Sequence, residues 1–582
     1  MKKIIVAETA GFCMGVRRAV NMVLELVEET HEPIYTIGPL IHNPQVVGLL
    51  RQRGVIPVQR LSEIQKGTVV IRSHGVSPSI RRGLEEKGLR IIDATCPRVA
   101  RVHRLVEQYA EQGALIIILG DPGHSEVEGI LGFAGSNARV VQGPDEIPQL
   151  PEANSVLLVA QTTQSQKKFE ETAEAVKKRY CELDTERVRI INTICDSTER
   201  RQAEVSELAK EAQAFVIVGG KESANTRRLQ KLVQSSGLPA YLVESEDELD
   251  FEALLNVDKV GLTAGASTPN WMIRRVYEEL HRRSLMTRWF PLRVFYQLLR
   301  FIGILNFYLG LGGALLTALV GILLSDKLNP YACFANFFYI FSIHNFNVLS
   351  SPRLLEVIEP ARGKFFIRHR GPLVYLSLFG LVSGAVFAFL INPWALLFYA
   401  GLSILSLLYQ AQFRPQTKRG IFRFRSLMDI PASKDLFSAL AWSVMIVLLP
   451  IAPGAHFSLK VWLIFALIFL MVLARSIIQD FRDLQADRLA GKETIPTLLG
   501  ADRSRILIHL LLSLAVLTLI IYFLLYNSSH LPALGLATGL LWLWLCVPLF
   551  TRRAVIQGLR AELMIDFSFI LAGILGLLMS IF

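Results

Sequence analysis

Cysteine is scarce in this 582-residue chain: six residues, at 13, 96, 181, 195, 333 and 546, no two of them closer than 14 positions. That excludes a CxxC redox or zinc motif and argues against a secreted disulfide framework. Long apolar runs are missing from residues 1–284, and no signal peptide is expected, because MKKIIVAE leads straight towards an amphipathic helix. Acidic residues thin out in the second half. Residues 1–284 hold 36 Lys+Arg against 38 Asp+Glu, whereas 285–582 hold 25 against 12. The basic excess therefore belongs to the apolar half, which argues against nucleic acid as a partner and for membrane lipids.

What is present falls into two patterns. Residues 1–284 alternate short β-rich runs (KIIVAE, PIYTIG, TVVIRS, LRIIDA, ALIIILG, SVLLVAQ, RVRIINT, FVIVGG, AYLVES, KVGLTAG) with amphipathic stretches, predicting an α/β fold with parallel sheets. Residues 302–582 hold nine segments long and apolar enough to span a bilayer, roughly 302–324, 331–350, 372–391, 393–412, 436–452, 459–478, 505–526, 531–550 and 563–582. They predict an all-α, polytopic membrane half with nine transmembrane helices. Between the two, 285–301 contains MTRWFPLRVFYQLLR, basic and aromatic as an interfacial linker should be. Lys and Arg gather in alternate loops, those after the second, fourth, sixth and eighth segments. The positive-inside rule then places these loops and residues 1–284 in the cytoplasm, with the helices in the inner membrane.

The cysteine at 13 lies in AGFCMGVRRAV, where a strand turns into a helix. The same strand–Cys–helix unit recurs in LRIIDATCPRVARVH around Cys96 and in VRIINTICDSTERRQ around Cys195, at spacings of 83 and 99 residues. We read three pseudo-repeated modules around a central cluster, each offering one thiol from the carboxyl end of a strand, where α/β sheets place ligands and helix N-termini favour thiolate. Three converging thiolates suit an iron–sulfur cluster with one iron left for substrate. Zinc held by three cysteines, or three small core residues, are the alternatives. Cys181, Cys333 and Cys546 lack this context and are assigned to packing.

Other strand ends are polar too: His42 in IGPLIHNP, His74 in IRSHGVSP, His124 and Glu126 in LGDPGHSEVEG, Thr162 and Thr163 in AQTTQS, Ser223 and Asn225 in GGKESANT, and Ser267 in TAGASTP. Singly these read as caps and satisfied loop histidines, with Ser223 and Ser267 as N-caps. Together, at helix N-termini, they suit a diphosphate. Glu126 is placed to donate protons. His103, on the helix after Cys96, is read as an ordinary core histidine.

The stretches GFCMGVRRAV, GPLIHNP, RSHGV, DATCP, GHSEVEG, AQTT, ICDSTERRQ, GGKESANTRRL and TAGAST, in that order over about residues 1–283, resemble the 4-hydroxy-3-methylbut-2-enyl diphosphate reductase family of the methylerythritol phosphate isoprenoid pathway. The resemblance implies a three-module α/β enzyme whose [4Fe–4S] cluster is held by Cys13, Cys96 and Cys195. It implies diphosphate binding by His42, His74, Ser223, Asn225 and Ser267. It gives His124 a part in binding and proton delivery, makes Glu126 the acid, and puts Thr162 against the substrate. Where some members carry a second serine this chain has Ala224, which implies one lost contact. The implied reaction reduces 4-hydroxy-3-methylbut-2-enyl diphosphate to isopentenyl and dimethylallyl diphosphate, with electrons from a ferredoxin- or flavodoxin-like donor.

In the membrane half, SIIQDFRDLQADRLAGKETIPTLLG (476–500) sets Asp480, Asp483 and Asp487 on one helix face. The phrase resembles the second aspartate motif of UbiA-type intramembrane prenyltransferases, which implies Mg²⁺ bridged to a diphosphate. A solvated helix end is the plain alternative. The first aspartate motif is degenerate. Asn347 and EPAR (359–362) fall in place, but Val348, Ser351 and Leu355 occupy the acidic positions, and Glu356 and Glu359 are out of register. The sequence thus supports a membrane-tethered reductase whose second half is an anchor or diverged lipid-binding module. A bifunctional reductase and prenyltransferase is the alternative, and a redox sensor a third reading.

Overall fold

The computed structural model describes residues 3–30, 32–180, 187–254, 256–286, 290–350, 360–410, 430, 432–451, 457–490, 494–526, 530–552 and 559–581. The chain divides into two compact units, Met1–Ser284 and Leu285–Phe582.

In the first unit the β-rich runs form twelve short strands: β1 (Lys3–Val6), β2 (Ile34–Ile37), β3 (Val55–Val58), β4 (Thr68–Ile71), β5 (Arg90–Asp93), β6 (Leu115–Leu119), β7 (Ala138–Val141), β8 (Val156–Ala160), β9 (Val188–Ile190), β10 (Ala214–Val218), β11 (Ala240–Val243) and β12 (Lys259–Ala264). They make three four-stranded parallel sheets, ordered β1-β12-β10-β11, β3-β2-β4-β5 and β7-β6-β8-β9. Central strands such as LIIIL, VLLVA and AFVIV are buried along their whole length, as strands covered by helices on both faces must be. The first sheet is not consecutive in sequence: β1 pairs with β12, in register from Lys3 with Lys259 to Val6 with Leu262.

Eight helices carry the polar strand ends and cysteines: α1 (Met14–Glu29), α2 (Pro44–Gln52), α3 (Pro78–Glu86), α4 (Pro97–Glu111), α5 (Ser125–Ala134), α6 (Gln166–Arg179), α7 (Asp196–Leu208) and α8 (Ala224–Ser235). Most of them start at the carboxyl end of a strand. Proline in the first turn of α2, α3 and α4 fits the position where no backbone N–H is needed. Asn43, Ser165 and Ser223 cap α2, α6 and α8 through their side chains.

The second unit is helical. Among the described residues each of the nine expected segments coincides at least in part with a helix, and six helices are long and apolar enough to cross a membrane: Phe307–Ser325, Arg370–Ile391, Leu459–Phe481, Ile495–Leu525, Leu531–Phe550 and Ala561–Met579. Pro393–Tyr409 is shorter, and Pro330–Ser350 and Ser433–Leu448 are not among the six. The linker forms a helix over Phe290–Ile304. The core is one large apolar cluster with a smaller one around Phe341 and Phe366, while Tyr375, Phe379 and Trp394 stay largely exposed, as lipid-facing side chains do.

Buried charges in this unit are paired over long sequence distances. Arg475 Nε meets Asp566 Oδ1 at 2.7 Å, and Gln479 donates to the same oxygen at 2.9 Å. Arg362 contacts Glu562 at 3.1 Å and donates to Asn306 at 2.7 Å. Removing one partner strands a buried charge, which costs about 3–5 kcal/mol. Asp566→Ala is therefore expected to lower the thermal unfolding midpoint in detergent markedly, and the double variant Arg475→Met/Asp566→Ala to recover most of it.

Candidate functional site

Cys13, Cys96 and Cys195 are the residues immediately before α1, α4 and α7. They follow β1, β5 and β9, an edge strand of each of the three sheets. Cys13 Sγ accepts the Val16 N–H at 3.4 Å. The amides of Arg98 and Val99 lie near Cys96, and those of Ser197 and Thr198 near Cys195, without a side-chain cap hydrogen bond at either. All three thiols line one cavity. Close approach is possible because residue 15 is glycine: a Cβ there would lie 2.5 Å from Cys96 Sγ. Burial pushes the thiols of Cys96 and Cys195 up, opposed by those amides. That conflict is relieved when sulfur bonds to a cation, so the donor set suits a thiophilic iron or zinc centre.

The same cavity is lined by His42, His74, His124, Glu126, Thr162, Thr163, Ser223, Asn225 and Ser267. The three imidazoles form a triangle with ring centroids 4.8, 5.6 and 5.6 Å apart. Their nitrogens lie within 4.8 Å of one another, the one group of three potential metal ligands of this compactness among the described residues. Burial and neighbouring cations push His74 well below the ordinary range, His124 down to about 4, and His42 down by a lesser amount. The rings are therefore neutral at pH 7. His124 Nδ1 accepts the Glu126 N–H at 3.1 Å, which leaves the proton of the neutral ring on Nε2. His42 Nε2, His74 Nδ1 and Asn225 Nδ2 are buried without a protein partner. Orphaned groups converging beside the N-terminus of α8 suit an oxyanion ligand.

Glu126 is 1% exposed, and the Thr162 N–H donates to its Oε1 at 2.7 Å. Burial pushes its carboxyl up. Ser223 caps α8 as expected. Ser267 is not an N-cap: its hydroxyl donates to the His42 carbonyl at 3.1 Å, while Asn43 Nδ2 donates to the Ser267 carbonyl at 3.0 Å, so two strand ends of different sheets are tied together. His103 is buried and stacked on Phe133 at 4.5 Å.

Two arginines escape a reading of the sequence although both lie in the motif stretches. Arg201, in ICDSTERRQ, is 3% exposed and donates to the carbonyls of Gly11 and, at 2.8 Å, Ala264, fixing the turn before Cys13. Arg228, in GGKESANTRRL, donates to Thr163 at 2.9 Å, Gln164 at 3.0 Å and Asp121 at 2.7 Å, bracing the AQTTQ loop that holds Glu126. Two adjacent arginines on a helix show nothing in sequence of which member turns inward.

In the second unit Asp480 and Asp487 are buried and Asp483 is half-buried on the helix Leu459–Ala490. Lys434 Nζ donates to Asp480 Oδ1 at 2.7 Å. Asp435, inconspicuous in the sequence, is 1% exposed and accepts the Ile495 N–H at 3.2 Å. Asn347 lies on the helix Pro330–Ser350, and Val348 packs against an apolar cluster. Ser351, Leu355, Glu356 and Glu359 lie outside the described residues, as does Cys181. Cys546 is buried and Cys333 half-buried.

Comparison with known proteins divides the chain in the same way. The UbiA prenyltransferase family matches residues 369–561. A UbiA homologue from Aeropyrum pernix K1 aligns at 18% identity and a TM-score of 0.36 over 46% of this chain and 96% of its own. The LytB protein family matches residues 4–281. A 4-hydroxy-3-methylbut-2-enyl diphosphate reductase from Aquifex aeolicus is 41% identical over 279 residues, 47% of this chain and 95% of that protein. Its counterpart from Caldanaerobacter subterraneus is 40% identical over 48% of this chain and 96% of its own length. The solved reductase from Plasmodium falciparum aligns at 29% identity and a TM-score of 0.46, over 50% of this chain and 90% of its own. At that identity, over nearly the whole of its relatives, this multi-pass membrane protein belongs through its first unit to the 4-hydroxy-3-methylbut-2-enyl diphosphate reductase family.

Proposed function

We propose that the first unit reduces 4-hydroxy-3-methylbut-2-enyl diphosphate to isopentenyl and dimethylallyl diphosphate. Two electrons and two protons enter, and the hydroxyl leaves as water. The observation that carries this reading is one cavity lined by three thiols at helix starts, three imidazoles lowered by burial and the buried Glu126 carboxyl. The thiols of Cys13, Cys96 and Cys195 fit a [4Fe–4S] cluster, which when bound supplies single electrons and an iron corner not taken by cysteine. His42, His74, Ser223, Asn225 and Ser267 seat the diphosphate at the start of α8. His124 offers its Nε2–H, and Thr162 flanks the substrate. Glu126 is the proton donor in this reading, because burial disfavours its anion and raises its carboxyl. The Thr162 amide occupies Oε1 and leaves the other oxygen to carry that proton to the departing hydroxyl.

Cys96→Ser is expected to lose iron and sulfide on anaerobic purification. Glu126→Gln is expected to keep both and to lose about 10²–10⁴-fold in turnover. A fully active Glu126→Gln enzyme removes the acid assignment.

The diphosphate also sets a pH dependence. Its charge raises the pKa of imidazoles that burial had lowered, so binding draws protons onto them. A group whose pKa rises on binding strengthens the complex at low pH and ceases to do so as pH climbs through the bound-state value. Affinity for an alkyl diphosphate is thus expected to fall with rising pH more steeply in the wild type than in His74→Gln. Calorimetry in buffers of different ionisation enthalpy should record the greater proton uptake in the wild type.

For the second unit we propose a membrane anchor that holds the reductase at the cytoplasmic face of the inner membrane. Val348, Ser351 and Leu355 stand where one set of carboxylates is needed, and an ammonium already pairs with Asp480. A second reading, prenyl transfer with Mg²⁺ on Asp480, Asp483 and Asp487, draws support from Asp435 Oδ1 and Asp480 Oδ2, which are buried without a hydrogen-bond partner. Full-length Glu126→Gln protein, supplied with Mg²⁺ and labelled prenyl diphosphates, is expected to transfer no label to lipid or aromatic acceptors. Transfer that disappears in Asp480→Asn would establish the second reading instead.

A further inference from the structure

The first turn of α1 has two sides. Cys13 faces the cavity, and Gly15 is pressed against Cys96 Sγ. Met14, between them, points outward and is 66% exposed. Among the described residues of the first unit only Met14 and Ile56 are large apolar side chains left exposed, so this one stands out against an otherwise polar surface. It opens a groove of about 640 Å³ that continues along α1 past Arg17, Arg18, Asn21, Met22 and Glu25. Arg17 and Arg18 are both exposed. Arg18 Nη1 donates to the Thr95 carbonyl at 3.0 Å, so the groove is fixed to the residue preceding Cys96.

We propose that this groove is the docking surface for the electron donor of the reductase, a small acidic protein carrying a one-electron centre. The proposal rests on the reductase reading above, whose reaction consumes two electrons that the chain does not itself supply. Each docking event delivers one electron: the carrier centre is oxidised, the centre held by the cysteines is reduced, and no bond to the carrier forms. Tunnelling rates fall steeply with distance, and only the thickness of one helical turn separates the groove from two of the three thiols. The chemistry of the rim matches an acidic partner: two guanidinium groups, one carboxylate and two flexible, polarisable methionines that adapt to a transient contact. A short-lived complex needs steering charge and a small apolar centre rather than a large buried area.

The test uses full-length, cluster-loaded protein in detergent and purified reduced flavodoxin as the probe. Binding is measured by thermophoresis at low and high salt, and turnover is measured both with flavodoxin and with dithionite-reduced methyl viologen, which needs no docking surface. Arg17→Glu and Met14→Gln are each expected to raise the flavodoxin Kd at least tenfold at low salt. Iron content and viologen-driven turnover should stay within twofold of wild type. A Kd that both variants leave within twofold, or wild-type binding indifferent to salt, overturns the proposal. So does loss of iron in both variants, which would make the turn purely structural; if only one loses iron, the other decides. Wild-type protein inactive with viologen would instead sink the reductase reading, leaving the binding result to stand by itself.

Discussion

The pairing of β1 with β12 is the constraint on which the site depends. The first sheet takes its strands from both ends of the unit, and only that closure brings Cys13 to the cavity where Cys96 and Cys195 arrive from the other two sheets. Local strand and helix propensity places each thiol at a helix start. It does not place three thiols together. Long-range contacts do: Arg201 reaches from α7 to the carbonyls flanking the Cys13 turn, Arg18 reaches from α1 to Thr95, and Arg98 of α4 pairs with Asp196 at the start of α7. These links run through arginine, whose several donors satisfy carbonyls and carboxylates together, and the Glu204 carboxylate of α7 adds another by accepting the Thr9 N–H at 2.9 Å.

Burial then sets the chemistry. The same desolvation that lowers the three histidines raises the Glu126 carboxyl and the thiols of Cys96 and Cys195. Each of these groups would change state with the ligand proposed for it: cationic metal at the sulfurs, anionic diphosphate at the rings, the departing hydroxyl at the acid. In that reading, sites for opposite charges share one cavity where desolvation works against the charged form of each of these groups.

The legible part of this arrangement is local. The turns around Cys13, Cys96 and Cys195 announce themselves by β-rich runs followed by amphipathic ones, and polar strand ends mark a ligand side of the sheets. That the first module is split is invisible in the sequence, because period-two and period-3.6 patterns carry no pairing information. Ser267 looks like a helix cap because hydroxyls near helix starts usually are. Its bond to the His42 carbonyl depends on a residue 225 positions away. Arg201 and Arg228 are hidden by the opposite bias, since arginines in a helix are expected at the surface. In the membrane half, hydropathy locates the segments, while Asp435 passes unnoticed because a lone acid at a helix start reads as a favourable first-turn charge.

The buried charges of the second unit bear on what it is for. Ionisable residues within a membrane bundle are costly and by default suggest function. Here Arg475 is matched by Asp566 and Arg362 by Glu562, each pair joining helices far apart in sequence. Such pairs are weak sources of stability but strong discriminators of helix register, because a slip leaves both charges unmatched. A bundle that must keep one fixed helix register gains from that discrimination even without a reaction of its own. Lys434 extends the pattern to Asp480, whose Oδ1 it meets at 2.7 Å. These three matched pairs support the scaffold reading. The unpartnered oxygens of Asp435 and Asp480 are where that description is most exposed, since a cation entering there would have to compete with an ammonium 2.7 Å from one of the two carboxylates.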